Sequence, residues 1–353
     1  MTLSKPFRFI GGARTAVFSC LTAVVMLLGI PAAPAFSASK TMKVVVLTDV
    51  AGLGDKGFND VCWQGAQRAG KDFGISVQFV QAREQADYAA NLAMAAQHSD
   101  AVVTLGYLYI DAVKEVAPKY PAIRFIHIEG DIPGDNVACY DFKSEEAGFL
   151  AGLVAGLFTG KDKVGAVSGM EIPPVVAYIS GYRAGVKTAS KLHNRPIETI
   201  VTSAGSFNDP VKGKSLTLAL IDKGVDVIFR AAGNTGIGVI EAVKSVNGTY
   251  AVGEDLDQDG DLPGRVLASA LKRMDVGVYT AIRSVVEGKF QSGHRVLGAA
   301  EGAIGLSEMK YTRQLFNPRD LELISKALDL LRQNKFAVPK TQAELETFQP
   351  PEI

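Results

Sequence analysis

The chain has 353 residues, with 37 Lys plus Arg against 37 Asp plus Glu, so its formal net charge is zero. That balance offers no electrostatic footprint for nucleic acid or an anionic membrane surface, and no nucleic-acid partner is expected. The length and a hydrophobic content of 47% suit two separate cores rather than one.

Residues 1–37 read as a signal peptide. Lys5, Arg8 and Arg14 precede an apolar run from Ala16 to Ile30, and Ala33-Pro34-Ala35 follows as a small-residue exit. The run is shorter than the roughly 20 residues a spanning helix needs, so cleavage after Ala35 or Ser37 is expected rather than a membrane anchor. Cys20 sits inside the apolar run and Phe18 is bulky beside it, which argues against lipid attachment there. Beyond this segment the chain keeps Cys62 and Cys139, expected as buried thiols, and four scattered histidines without metal-ligand spacing. No metal and no cofactor are expected.

From residue 43 the pattern alternates strand and helix. Residues 43–48 form a β-branched run, and 59–73 place Cys62, Ala66, Ala69 and Phe73 on one helical face. Strands follow at 76–80, 101–105 and 124–128, with helices at 87–98 and 109–120. The alternation restarts near Ser144. Helices are expected at 145–158, 175–191, 211–223 and 235–245, and strands at 163–167, 197–202, 225–230, 250–253 and 265–271. Late helices cover 274–287 and 318–333. Such βαβ repetition predicts α/β architecture, with parallel sheets covered by helices on both faces. The strands are too many for one compact sheet, so two doubly wound lobes are expected. Lobe 1 takes residues 41–142 plus 258–290, and lobe 2 takes 143–257 plus 291–345.

Ligands of open parallel sheets bind beyond the carboxyl ends of the strands. The loops there, at 49–58, 106–109, 129–131, 169–174, 203–209, 231–238 and 254–261, are rich in Gly, Asp and aromatic residues. Three motif matches fall among them. Gly52, Gly54 and Gly57 satisfy a dinucleotide fingerprint, but Asp55 stands where a pyrophosphate would lie, and no acidic residue ends the next strand. Residues 255–260 open like a calcium loop, yet its twelfth position is Val266 instead of Glu. Gly233 and Gly236 open a helix whose free N–H groups suit a hydroxyl as well as a phosphate. No nucleophile arrangement appears, and an enzyme is not expected.

The string from Asp49 to Asn59, with Trp63 and Gly65 after it, resembles the opening signature of the basic membrane protein family. The similarity continues through Gly148-Phe149-Leu150-Ala151-Gly152, Gly181-Tyr182-Arg183-Ala184-Gly185, Gly205-Ser206-Phe207-Asn208-Asp209-Pro210 and Val252-Gly253-Glu254-Asp255, over roughly residues 42 to 307. The resemblance implies a periplasmic-binding-protein type I pair of lobes joined by three crossings. It also implies a substrate-binding component of an ABC importer, whose ligand is a purine nucleoside and whose partner is a membrane permease. The protein is expected to be a periplasmic monomer. By position the resemblance assigns Phe58 and Phe207 to a base sandwich, Asp49 with Asn59 to the base edge, Asp255 and Lys272 to the ribose, and Gly233 to the sugar. Glu129, with Asp131 two residues on, replaces a family Asp, so the base edge is expected to be read differently. Tyr178 stands where Phe is usual, and Gly57 where Ser is common. The same cleft would also serve a non-transport sensor, or a binder of a free purine base or another flat heterocycle.

Overall fold

A computed structural model describes residues 41–353; the expected signal peptide and Cys20 lie outside the described residues. Strand β1 (Lys43–Thr48) leads into α1 (Phe58–Phe73), β2 (Ser76–Gln81), α2 (Tyr88–His98), β3 (Ala101–Leu105), α3 (Ile110–Val116), β4 (Arg124–Ile128) and β5 (Val137–Phe142). The chain then builds α4 (Ser144–Phe158), β6 (Lys163–Ser168), α5 (Pro173–His193), β7 (Glu198–Ser203), α6 (Pro210–Asp222), β8 (Val227–Ala231), α7 (Thr235–Ser245), β9 (Tyr250–Asp255) and β10 (Val266–Lys272). Last come α8 (Met274–Val286), β11 (Gly293–Leu297), β12 (Ile304–Leu306), α9 (Pro318–Arg332) and α10 (Gln342–Thr347).

Two six-stranded sheets result. The first has order β11-β5-β4-β3-β1-β2 with every pair parallel, and the second has order β12-β10-β9-β8-β6-β7, parallel except for β12. Central strands are continuous apolar runs because helices cover both faces. Val44, Val46, Val102, Val103 and Leu105 are fully enclosed, as are Val227, Ile228 and Phe229. Each lobe therefore has its own core.

In the second lobe α4 lies against α5 almost backbone to backbone. A Cβ on Gly148 would come within 2.0 Å of the Tyr178 carbonyl oxygen, and one on Gly185 within 2.1 Å of the Phe149 carbonyl oxygen. Tyr178 and Tyr182, from the same stretch of α5, pack on Phe229 of β8. The glycines thus let α5 sink far enough for Tyr178 to reach the carboxyl end of the sheet.

The lobe boundaries read from the sequence need correcting at two places. β10 pairs with β9, Leu271 opposite Asp255, so it belongs to the second lobe and the chain crosses after Lys272, not near residue 258. β11 pairs with β5 from Gly293 to Leu297, so residues 291–297 return to the first lobe. Crossings therefore fall between β5 and α4, between β10 and α8, and between β11 and β12. A strand's own residues do not encode its partner. The largely apolar β10 fits either sheet, and β11 is a half-exposed edge strand without an apolar run.

Cys62 and Cys139 are buried free thiols. Among the described residues no helix is long and apolar enough to cross a membrane.

Candidate functional site

The carboxyl ends of β1, β3 and β4 meet those of β6, β8, β9 and β10 across one cavity. Counting its open mouth, it encloses about 630 Å³ not filled by atoms. Asp49, Phe58, Asn59, Glu129, Phe207, Gly233, Asp255 and Lys272 all line it.

On the first lobe, the loop after β1 folds back to cap α1. The Asp55 carboxylate accepts the N–H groups of Gly57 (3.0 Å), Asn59 (2.9 Å) and Asp60 (3.2 Å). Asp60 in turn accepts those of Gly54 (2.8 Å) and Lys56 (3.0 Å). The anion-holding N–H groups of the glycine-rich loop are thus consumed by the chain's own carboxylates, which physically removes the pyrophosphate site that its spacing suggested. With Asp55 as the cap, Asp49 is left free to serve the cavity. Its Oδ1 accepts the Ala51 N–H (3.0 Å) and the Asn59 side-chain amide (2.9 Å). That amide also donates to Asp55 (3.0 Å), which fixes its orientation and leaves the buried Asn59 Oδ1 without a hydrogen-bond partner. Burial pushes the Asp49 carboxyl up to about 6, against the bond from Asn59 and with help from the Asp55 charge. Phe58, the first residue of α1, rests on Gly106. That glycine has φ of +94°, and a Cβ there would lie 3.6 Å from the Phe58 ring and 3.9 Å from Asp49 Oδ2.

Glu129 follows β4 with φ of +68°, an unusual backbone for a side-chain-bearing residue. Two bonds hold it there. Its N–H donates to the Tyr140 carbonyl (2.9 Å) and its carbonyl accepts from His127 Nε2 (3.2 Å). That donor role makes His127 Nδ1 the acceptor for the Thr104 hydroxyl at 2.9 Å. Burial lowers His127 to about 4, so the ring is neutral.

The second lobe contributes Asp255 and Lys272 from neighbouring strand ends. Asp255 is also left-handed, with φ of +62°. Lys272 is 3% exposed. Its ammonium pairs with the Glu129 carboxylate of the opposite lobe, stands 3.6 Å from Asp255 Oδ1, donates to Ser144 Oγ at 3.4 Å, and lies over the Phe58 and Tyr178 rings at 5.6 and 5.4 Å. Burial opposes its charge, but Asp255 and Glu129 outweigh that and raise its pKa. Asp255 is pushed up to about 7 by burial, against the pull of Lys272 and with the charges of Glu254 and Glu129 adding to the rise. Its Oδ1 is buried and has no hydrogen-bond partner. Phe207, between β7 and α6, lies against two glycines. A Cβ on Gly169 would sit 2.3 Å from the ring, and one on Gly233 within 3.8 Å.

Asp131 does not join them. Glu129 and Gly130, with φ of +68° and +155°, turn the chain out of the cavity, and the exposed Asp131 side chain stands 3.8 Å from His294 Nδ1 instead. Its place is an adjoining groove that shares Tyr107, Glu129 and Pro174 with the cavity. Several lining residues are not among the expected ligand contacts, Asp55, Leu108, Val175, Tyr178 and Glu254 among them. Most fall in, or directly after, loops marked by their place at strand ends. Glu254 opens the loop marked at 254–261, although β9 runs on through it to Asp255. It accepts the N–H groups of Ala232 and Gly233, both at 3.0 Å, and so holds the Gly233 turn. In the acidic segment after Asp255, one carboxylate serves the fold. Asp259 ties β10 and β12 together by accepting from Ser269 (3.2 Å) and Ser307 (2.9 Å).

Residues 42–337 match the Bmp family model, described as ABC transporter substrate-binding protein PnrA-like. The chain belongs to this family. Its two-lobe fold is that of ABC solute-binding proteins: a solute-binding protein of an ABC transporter system from Aeropyrum pernix K1 superposes with a TM-score of 0.80 at 30% identity, covering 87% of this chain and 96% of that one. Among sequence relatives, an uncharacterized lipoprotein of Pyrococcus abyssi is 33% identical over 289 residues, 78% of this chain and 71% of its own. A Lactococcus lactis protein named an ABC transporter nucleoside-binding protein is 29% identical over 274 residues, 71% of this chain and 77% of its own. For a solute-binding protein the cavity between strand ends is the place a ligand occupies, and this family is one of binding components, not of enzymes. The Pyrococcus name stands against the expectation that no lipid is attached.

Proposed function

We propose that this solute-binding protein captures a purine nucleoside between its lobes and delivers it to a membrane permease. One observation carries the reading. Phe58 and Phe207, from opposite lobes, border a cavity whose remaining wall offers buried acceptors, Asn59 Oδ1 and Asp255 Oδ1, with no protein donor. Buried acceptors left unpaired are costly, so a ligand that donates to both is favoured. A nucleoside meets each demand. Its base is a flat ring for two aromatic faces, a contact worth about 0.5–1.5 kcal/mol beyond area burial in protein aromatic pairs. Its base edge donates to Asp49 and Asn59, and its ribose hydroxyls donate to Asp255 and accept from Lys272, beside the Gly233 main chain. Closure then follows from the ligand's contacts with both lobes. The name of the Lactococcus relative supports the same class of ligand.

Export through residues 1–37 belongs to this reading, with work outside the cytoplasmic membrane as a monomer. Intact mass of the protein recovered from cells distinguishes a chain cut after Ala35 or Ser37 from one acylated at Cys20. The ligand itself is tested by mass spectrometry of the small molecule released on denaturing purified protein, followed by calorimetry with inosine, guanosine, adenosine and their free bases. Submicromolar binding of at least one riboside is expected. Failure of all of them to bind, with a non-purine solute released, overturns the proposal.

A further inference from the structure

Arg230 ends up fully enclosed at the end of β8, behind the cavity wall and not among the residues that line it. A buried guanidinium is costly unless charge and hydrogen bonds are matched. Here Glu254 stands 3.5 Å from its Nε and Nη2 donates to the Gly233 carbonyl at 2.9 Å, while Nε and Nη1 have no hydrogen-bond partner. The remaining acceptor comes from the other lobe: Nη2 also donates to the Asp55 carbonyl at 3.1 Å. Gly236 makes the room, because a Cβ there would lie 2.4 Å from Arg230 Nε.

Arg230 is one of three lobe-2 side chains that donate to the main chain of the same short loop of lobe 1, which Asp261 also holds by pairing with Lys56 Nζ at 2.9 Å. Asn208 donates to the Val50 carbonyl at 3.2 Å and Gln258 to the Lys56 carbonyl. All three acceptors are main-chain oxygens on a loop bent through Gly52, Gly54 and Lys56, with φ of +68°, +92° and +53°. Such contacts form only when the loop has this backbone shape and the lobes are together. The same loop bears Asp49 and Asp55 and begins the helix that carries Phe58, all of which line the cavity. Asp55 and Gly233 therefore each touch the cavity on one side and Arg230 on the other, and Glu254 joins Gly233 to the guanidinium.

We infer that Arg230 is a positioning residue that couples occupancy of the cleft to closure of the lobes, by holding the main chain of the 50–56 loop from the opposite lobe without touching the ligand. The coupling needs only that the cleft hold a solute, so it is separable from the choice of a nucleoside. A change of shape at the loop alters how well its Asp55 carbonyl meets a charge that has nowhere else to go. Opening the lobes breaks that bond.

The test compares wild type, Arg230→Met and Arg230→Lys, with Asn208→Ala as a surface variant that leaves the core intact. Guanosine is titrated by calorimetry, and small-angle scattering records the radius of gyration with and without it. Arg230→Met is expected to bind about tenfold or more weakly, as for loss of a hydrogen bond to a charged group, and to need saturation before it compacts. Arg230→Lys should recover part of the loss, and Asn208→Ala should weaken binding a few-fold. Wild-type affinity and compaction in Arg230→Met overturn the inference. If guanosine gives no heat with wild type, inosine and adenosine are titrated in its place; if none binds and a non-purine solute is released, the nucleoside reading falls instead, and coupling is read by hydrogen exchange at residues 52–57 of the ligand-free proteins. Exchange about tenfold faster in Arg230→Met sustains the inference, and equal exchange removes it. Should Arg230→Met fail to fold, Asn208→Ala carries the same measurements, and unchanged affinity together with unchanged exchange at the loop overturns the inference.

Discussion

Lys272 of the second lobe and Glu129 of the first form an ion pair across the cleft, with both side chains almost wholly out of solvent. The pair changes what each residue offers a ligand. Glu129 spends its carboxylate on the lysine rather than on a base edge. Asp255, 3.6 Å from the same ammonium, keeps an oxygen without a hydrogen bond. Three charges on two lobes are therefore arranged as two carboxylates around one cation.

Removing the cation should be more damaging than removing either anion. Lys272→Met leaves Glu129 and Asp255 buried together with no cation within reach, and loss of one partner from a buried pair typically costs about 3–5 kcal/mol. Glu129→Gln leaves the ammonium beside Asp255 and should cost less, about 1–2 kcal/mol. Urea denaturation of the ligand-free proteins at neutral pH reads both. Equal and small losses would show that the pair does not persist in solution.

The ribose assignment predicts a difference between ligand types. Asp255→Ala should weaken ribosides by about ten- to a hundredfold, the worth of hydrogen bonds to a charged group, and change free purine bases little. Calorimetry with guanosine against guanine reads the difference. Equal losses for base and nucleoside would move the sugar elsewhere.

For the aromatic pair, a test is available that leaves both rings in place. Gly169→Ala puts a methyl where the Phe207 ring lies, 2.3 Å from its nearest atom, so the ring must swing away. The ring is only partly buried and has cleft space to move into, so stability should hardly change. Affinity for every purine should fall about tenfold, close to the effect of Phe207→Ala. Unchanged affinity in both variants would exclude Phe207 from the base contact.

How much of this could be read in advance depended on the kind of signal. The 43–48, 101–105 and 124–128 strands are central and apolar on both faces, and their bounds match the sequence reading residue for residue. β5, β11 and β12 were not expected as strands. β5 mixes Cys, Tyr and Asp, β11 is polar, and β12 has three residues, so none makes a run or an alternation long enough to register. Topology marked the loops at strand ends, and the resemblance to the family named the residues within them. What sequence could not supply was partnership. The resemblance set Lys272 beside Asp255, which it does approach at 3.6 Å, but nothing in the sequence shows the Glu129 side chain reaching the same ammonium from the other lobe. Arg230 was passed over as an ordinary strand residue for the same reason.

Titration gives the last prediction, through Asp255 at about 7 and Asp49 at about 6. Both lie above the usual carboxylate range near 4, so between about pH 4 and 7 the folded ligand-free protein holds more protons than the unfolded chain. Stability from these two groups is then greatest at the acid end, falls as pH rises through that window, and is level above it. Ligand binding runs the other way. A protonated Asp255 has one oxygen fewer to accept ribose hydroxyls, so the solute selects the ionised form and binding below pH 7 releases a proton. Riboside affinity should fall by up to about tenfold per pH unit as pH drops below about 7. For a free base the decline should begin nearer 6, where Asp49 takes its proton. Calorimetry at pH 5.5, 6.5 and 8 in buffers of unlike ionisation enthalpy measures both affinity and proton count. Riboside affinity that is flat across this range, with no proton released, would mean that neither carboxylate meets the ligand in its charged form.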